Sequence, residues 1–166
     1  MAALKTTIKN WLLDAKKIAV LGVGSGLRGD DAAGILVARE LSKHCKTAAC
    51  RIKFKVFAGD TAPENLTGEI KKFKPTHLIL VDSADTGKKA GEIVIIEPKK
   101  LHGISFCTHQ LPLKIMVDYL IESVGCSILI IGIQPKKLDF GSLPSKEIQK
   151  SVKIISDTIK GIIKLR

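Results

Sequence analysis

Four short, nearly continuous runs of branched apolar residues, at positions 18–23, 78–81, 93–96 and 128–133, are spaced along the chain with amphipathic stretches between them. Strands covered on both faces of a sheet have this composition. A fifth run, 52–57, alternates instead and reads as a weaker strand. The intervening stretches 31–44, 64–73, 110–124 and 145–165 carry apolar residues three and four apart, the period of a helix with one buried face. In the last of them Ile148, Val152, Ile155, Ile159, Ile162 and Ile163 keep that spacing, which predicts a closing helix and not a charged tail. Strands alternating with helices predict an α/β fold in which a mostly parallel sheet is covered on both sides.

One connection breaks the pattern. The runs at 78–81 and 93–96 are separated by a short segment containing Gly87 and Gly91, too short for a crossover helix. The strand at 93–96 is therefore predicted to run antiparallel to its neighbours. Ahead of the first strand, Leu4, Ile8, Trp11 and Leu12 share one helical face. Residues 1–15 thus predict a short amphipathic helix docked on the domain, in preference to a helix lying on a membrane. With no internal repeat, low-complexity tract or linker, residues 1–166 read as a single domain.

Composition removes several function classes. The net charge is +11, from 27 Lys plus Arg against 16 Asp plus Glu, but the basic residues are dispersed in pairs such as Lys71-Lys72 and Lys136-Lys137. Aromatic residues make up 4% of the chain, too few to interleave a basic groove with stacking rings, so nucleic acid is not an expected partner. Cys45, Cys50, Cys107 and Cys126 form no C-x-x-C pair, which argues against a zinc knuckle or a thioredoxin-like centre. No secretory signal and no membrane-spanning run is apparent, so the expected location is cytoplasmic.

The glycine-rich segment Gly22-Val23-Gly24-Ser25-Gly26-Leu27-Arg28-Gly29-Asp30-Asp31 lies between the first strand and the first long helix. That position suggests phosphate binding. The dinucleotide fingerprint fails, because Leu27 stands where a third glycine is required, and the Gly-Lys-Ser/Thr ending of a P-loop is absent. Asp30 and Asp31 also stand where a pyrophosphate would sit. At about 4 Å and an effective dielectric near 20, each like-charge contact costs roughly 4 kcal/mol. No nucleotide is expected. Carboxylates suit a helix N-terminus, so Asp30 is expected to cap the helix that follows it, whereas Asp31 is a candidate for chemistry.

Asp82 follows the run 78–81 and so ends a central strand. In doubly wound sheets the first and third strands are neighbours and ligands bind in the crevice between their carboxyl ends. Asp31 and Asp82 are predicted to face each other there. His109 lies in Cys107-Thr108-His109-Gln110-Leu111-Pro112-Leu113, at the start of the next helix, with Thr108 as a candidate N-cap. That setting favours the neutral imidazole, which can ligate a metal. Two carboxylates and one imidazole leave open positions on a divalent transition metal, although the intervals match no local metal motif. Ser25, Asp82 and His109 also follow the order of a hydrolase triad, but the nucleophile elbow fails because Val23 stands two residues before the serine.

Taken together, these segments resemble the hydrogenase maturation endopeptidases, which process the large subunit of nickel–iron hydrogenases. The resemblance runs from Leu21-Gly22-Val23-Gly24 through Gly29-Asp30-Asp31 and Gly34, then Gly59-Asp60-Thr61-Ala62-Pro63-Glu64-Asn65 and Leu80-Val81-Asp82-Ser83-Ala84. It continues in Gly91-Glu92-Ile93, Thr108-His109-Gln110-Leu111-Pro112-Leu113 and Ile131-Gly132-Ile133-Gln134-Pro135. It implies a three-layer α/β/α domain with a mixed, mostly parallel five-stranded sheet and one antiparallel strand. It also implies Asp31, Asp82 and His109 as the residues that meet the metal, with Asp31 the candidate catalytic carboxylate. The implied partner is the precursor of the hydrogenase large subunit, which brings the nickel with it; no tightly bound cofactor is implied for the enzyme alone. The chain departs from the family at Gly24-Ser25, where Gly-Asn is usual, so a contact to the substrate peptide changes. A nickel-site chaperone that cuts nothing would use the same three residues.

Overall fold

The computed structural model describes residues 2–45, 52–101, 105–106 and 113–164. Five helices are α1 (Ala2–Trp11), α2 (Ala33–Cys45), α3 (Thr67–Phe73), α4 (Leu113–Val124) and α5 (Lys146–Lys164). The strands are β1 (Lys17–Val23), β2 (Lys53–Asp60), β3 (His77–Asp85), β4 (Ile93–Ile96), β5 (Ser105–Phe106) and β6 (Ser127–Ile133). Each of the five predicted strands is present, and β3 continues four residues past the apolar run that announced it.

The main sheet has the order β2-β1-β3-β6-β4, and the two-residue β5 pairs with the end of β3. β1 is parallel to both β2 and β3, and β3 is parallel to β6. β4 pairs with β6 alone in the main sheet and is antiparallel to it, Ile93 opposite Ile133 and Ile96 opposite Ile130. The short glycine-bearing connection thus forces the reversal that its length predicted.

Alternation along the central strands builds two cores. Ile18, Val20, Ile79, Val81, Leu129 and Ile131 face the side covered by α1, α2 and α5. Ala19, Leu21, Leu78, Leu80, Ile128 and Ile130 face α3 and α4. The apolar stripe of α5 (Ile148, Val152, Ile155, Ile159, Ile162, Ile163) is buried along its whole length, and each such side chain contributes about 1.5–3 kcal/mol through burial. Ser145 starts this helix: its hydroxyl accepts the Ile148 amide at 3.3 Å, an N-cap. Ile8 of α1 and Leu12 of the turn that follows it enter the same core fully buried, and Trp11 meets the ring of buried His77 edge-on at 4.7 Å. The β2 edge is more polar, with Lys53 and Lys55 alternating outward.

Gly34 is what lets α2 lie against the strand ends. A Cβ there would stand 2.1 Å from the Val81 carbonyl oxygen and 2.3 Å from that of Val23. Only a glycine permits that approach, so the turn before α2 is pressed onto the carboxyl ends of β1 and β3.

Candidate active site

The glycine-rich segment leaves β1 at Val23 and closes in a single turn of 3-10 helix, Gly29–Ala32, before α2 begins at Ala33. The expected helix start at residue 31 thus falls inside that turn. Gly24 has φ +122°, and a Cβ at that position would lie 1.9 Å from the Asp31 carbonyl oxygen. The segment therefore folds back so that residue 31 lies directly over residue 24. The consequence is visible in the polar contacts: the Ser25 amide donates to Asp31 Oδ2 at 2.7 Å. Asp31 is fully buried, and its own amide donates to the Arg28 carbonyl at 3.0 Å. A carboxylate fixed at both backbone and side chain has lost most of its rotamer freedom before any substrate arrives.

Asp82 stands one residue beyond the last β1–β3 pair, Gly22 with Val81, and lies opposite Gly132 in β6. It is fully buried, and its Oδ1 accepts the Ser83 amide at 2.7 Å. By strand alternation it falls on the same side as Leu80 and Ala84, the side of α4. Asp31, in the turn that follows β1, and Asp82, three residues before the end of β3, accordingly lie towards the carboxyl ends of two adjacent parallel strands, where ligands of open α/β sheets bind. His109 and Thr108 lie outside the described residues. Among the described residues no group of three His, Cys, Asp or Glu side chains is arranged to hold a metal ion.

Asp30 does something other than expected. Its side chain does not cap the helix that follows; no side-chain bond closes that turn. Instead Oδ2 accepts the amides of Lys136 at 2.7 Å and Lys137 at 3.2 Å, together with the Ser145 hydroxyl at 3.0 Å. Oδ1 accepts the Ser145 amide at 2.6 Å. Four donors around one fully buried carboxylate compensate its lost hydration. Local reasoning missed this role because the partners lie more than a hundred residues away. Backbone bonds reinforce the clamp: Gly29 donates to Ser142 O, Asp30 to Lys137 O and Gly141 to Leu27 O. Near its edge the Lys136 ammonium sits 2.9 Å from Glu147, and this hydrogen bond holds the Glu147 carboxyl below its ordinary pKa and raises that of Lys136.

Gln134 is a second organiser that sequence reading did not assign. Its Oε1 accepts the amides of Thr86 and Lys88 and the Thr86 hydroxyl, while Nε2 donates to Asp85 Oδ1. It ties the end of β6 to the connection that follows β3, directly beyond Asp82. Ser25 contributes through its backbone; its hydroxyl accepts the Leu27 amide at 3.3 Å and so serves the loop's own turn. No helix among the described residues is long and apolar enough to cross a membrane.

Comparison with known proteins agrees with this architecture. The family model described as hydrogenase maturation protease, HycI, matches residues 35–162. The chain is 34% identical over 143 residues to the hydrogenase 3 maturation protease of Escherichia coli, an alignment covering 86% of this chain and 88% of that one. The crystal structure of the [NiFe] hydrogenase maturation protease HycI from Thermococcus kodakarensis superposes with a TM-score of 0.85 at 31% identity, over 95% of this chain and 99% of that one. The solution structure of the endopeptidase HycI from Escherichia coli gives 0.75 at 33% identity, over 87% and 90%.

Proposed function

The chain belongs to the hydrogenase maturation protease family, and from that premise we propose that it removes a C-terminal extension from the nickel-loaded precursor of a hydrogenase large subunit, in the cytoplasm. The observation that supports this reading is the pair of fully buried acids, Asp31 and Asp82, at the carboxyl ends of adjacent strands. The Ser25 and Ser83 amides already orient these carboxylates, and oxygen donors held in place beyond the strand ends suit a divalent ion carried by the substrate.

In this reading Asp31, Asp82 and His109 complete the coordination of the precursor's nickel and so sense whether the metal has been installed. Carboxylates are not the soft donors that hold nickel against competitors, and the enzyme alone binds the free ion weakly. The ligands it lacks belong to the precursor. If each metal–ligand contact contributes about 1.4 kcal/mol, two or three of them give roughly a hundred- to a thousandfold preference for loaded over empty precursor. Hydrolysis adds water across the peptide bond, hydroxyl to the carbonyl carbon and hydrogen to the leaving nitrogen. Asp31, already oriented by the Ser25 amide, is the carboxylate placed to take the proton of that water.

Incubation of the protein with nickel-loaded and nickel-free precursor, followed by mass spectrometry, tests the reading. Shortening of the loaded form alone is expected. Equal cutting of both forms would remove the metal-sensing role, and cutting of neither, with binding retained, would leave a nickel-site chaperone.

A further inference from the structure

Two segments far apart in sequence form one ledge beside the candidate site. Leu27 projects from the glycine-rich loop with 63% of its surface exposed, and Phe140 and Leu143 project from the loop between β6 and α5 with 79% and 80% exposed. The Gly141 amide donates to the Leu27 carbonyl at 2.8 Å, and Gly29 donates to Ser142 at 3.2 Å, so the three side chains stem from backbones bonded to each other. Asp30 fixes this union from beneath through its four bonds to Lys136, Lys137 and Ser145. Large apolar side chains this exposed in a braced loop are not left so by a folding requirement; adjacent to a functional crevice they mark a contact surface.

We propose that Leu27, Phe140 and Leu143 are the surface on which the precursor's polypeptide lies beside the bond to be cut. This inference rests on the proteolytic reading above. Leu27 is four residues from Asp31, so the two are separated by at most about 14 Å of chain. An extended peptide covers that distance in about four residues. The occupant is therefore the stretch within about four residues of the scissile bond, and its apolar side chains meet the ledge. Arg28 and Lys137 lie on the rim, both exposed, and favour an acidic residue in that stretch or next to it. Neither the apolar trio nor this rim is explained by Asp31 and Asp82, which are buried.

The test uses an Asp31→Asn protein as parent, so that binding is read without cutting, and titrates it with the nickel-loaded precursor by calorimetry. Phe140→Ser with Leu143→Ser, and separately Leu27→Ser, should each weaken binding about tenfold or more while the melting temperature stays that of the parent. Leu13, 67% exposed between α1 and β1, supplies the control: Leu13→Ser should bind as the parent does. Unchanged binding by the ledge variants overturns the proposal. Loss of self-association with unchanged precursor binding also overturns it and assigns the ledge to a second copy of the chain. If the unmodified enzyme fails to shorten the precursor yet the ledge variants still weaken binding, the proteolytic reading falls and the docking surface stands.

Discussion

Asp30 and Ser145 are joined twice, amide to Oδ1 at 2.6 Å and hydroxyl to Oδ2 at 3.0 Å, across 115 positions of sequence. Ser145 is at the same time the N-cap of α5. The carboxylate next to Asp31 thereby connects the candidate site to the long closing helix, whose apolar stripe belongs to the core on the α1, α2 and α5 side of the sheet.

Removal of that carboxylate should be felt as lost stability. Asp30→Ala strands four donors in a buried place, and a loss of about 3 kcal/mol is expected. Urea unfolding monitored by circular dichroism checks it, with Asp30→Asn expected to lose less because it keeps an acceptor. A loss under about 0.5 kcal/mol for Asp30→Ala, the range of an inert surface change, would show that the clamp is not structural.

For Asp31 the expectation is reversed. Asp31→Ala removes the acceptor of the Ser25 amide together with the carboxylate's other contacts, and stability should fall by about 1–3 kcal/mol. Precursor processing should fall at least about a thousandfold, the size expected when a general base is removed. Gel-based processing and a thermal melt, run on the same preparation, separate the two effects.

Ser25→Ala should leave processing within about tenfold of the original, because the backbone amide that holds Asp31 survives the change while only the turn bond to Leu27 is lost. Complete inactivity in a folded Ser25→Ala protein, seen in the same processing assay, would restore the hydrolase-triad reading in which this hydroxyl is the nucleophile.

Cys126 offers a pH-dependent observable. Burial raises its thiol pKa above the ordinary value, so the thiolate that reacts with iodoacetamide is depleted in the folded protein. Peptide mapping after alkylation near pH 8 should show Cys126 modified far more slowly in buffer than in urea. The sign for stability follows: an acid whose pKa is raised on folding contributes nothing well below its unfolded value and loses stability as pH rises through that value. Equal alkylation rates in buffer and urea would contradict the burial.

Gly34→Ala is expected to cost about 3 kcal/mol, since its Cβ would collide with backbone carbonyls that cannot move aside singly. Differential scanning calorimetry of the variant measures this, and an unchanged melting temperature would mean that α2 can rise off the strand ends freely.

What could be read without coordinates was whatever leaves a periodic or local trace. The strands were legible because burial on both faces demands unbroken branched residues, and β4's direction because a short glycine-bearing connection cannot cross over. Asp82 was expected beyond a central strand because it directly follows such a run, and Asp31 in the loop after the first strand because the glycine-rich segment leads to it. Asp30 and Gln134 were not legible in this way. More than half of their partners are backbone amides, which carry no residue identity, and those of Asp30 lie in a loop whose sequence has no period. His109 falls in a stretch outside the described residues, so its place rests on the sequence alone.

The strand order has a bearing on how the chain is made. β6, residues 127–133, is inserted between β3 and β4. A ribosome that has released the chain as far as residue 126 has therefore exposed a β3 with one bare edge and a β4 with no neighbour in the main sheet. Until residues 136–145 emerge, the Asp30 carboxylate also lacks the described partners of its side chain. Unpaired apolar edges invite pairing with other chains, and in this topology the sheet centre, the α5 cover and the braced acid site all become complete over one interval of synthesis, residues 127–164.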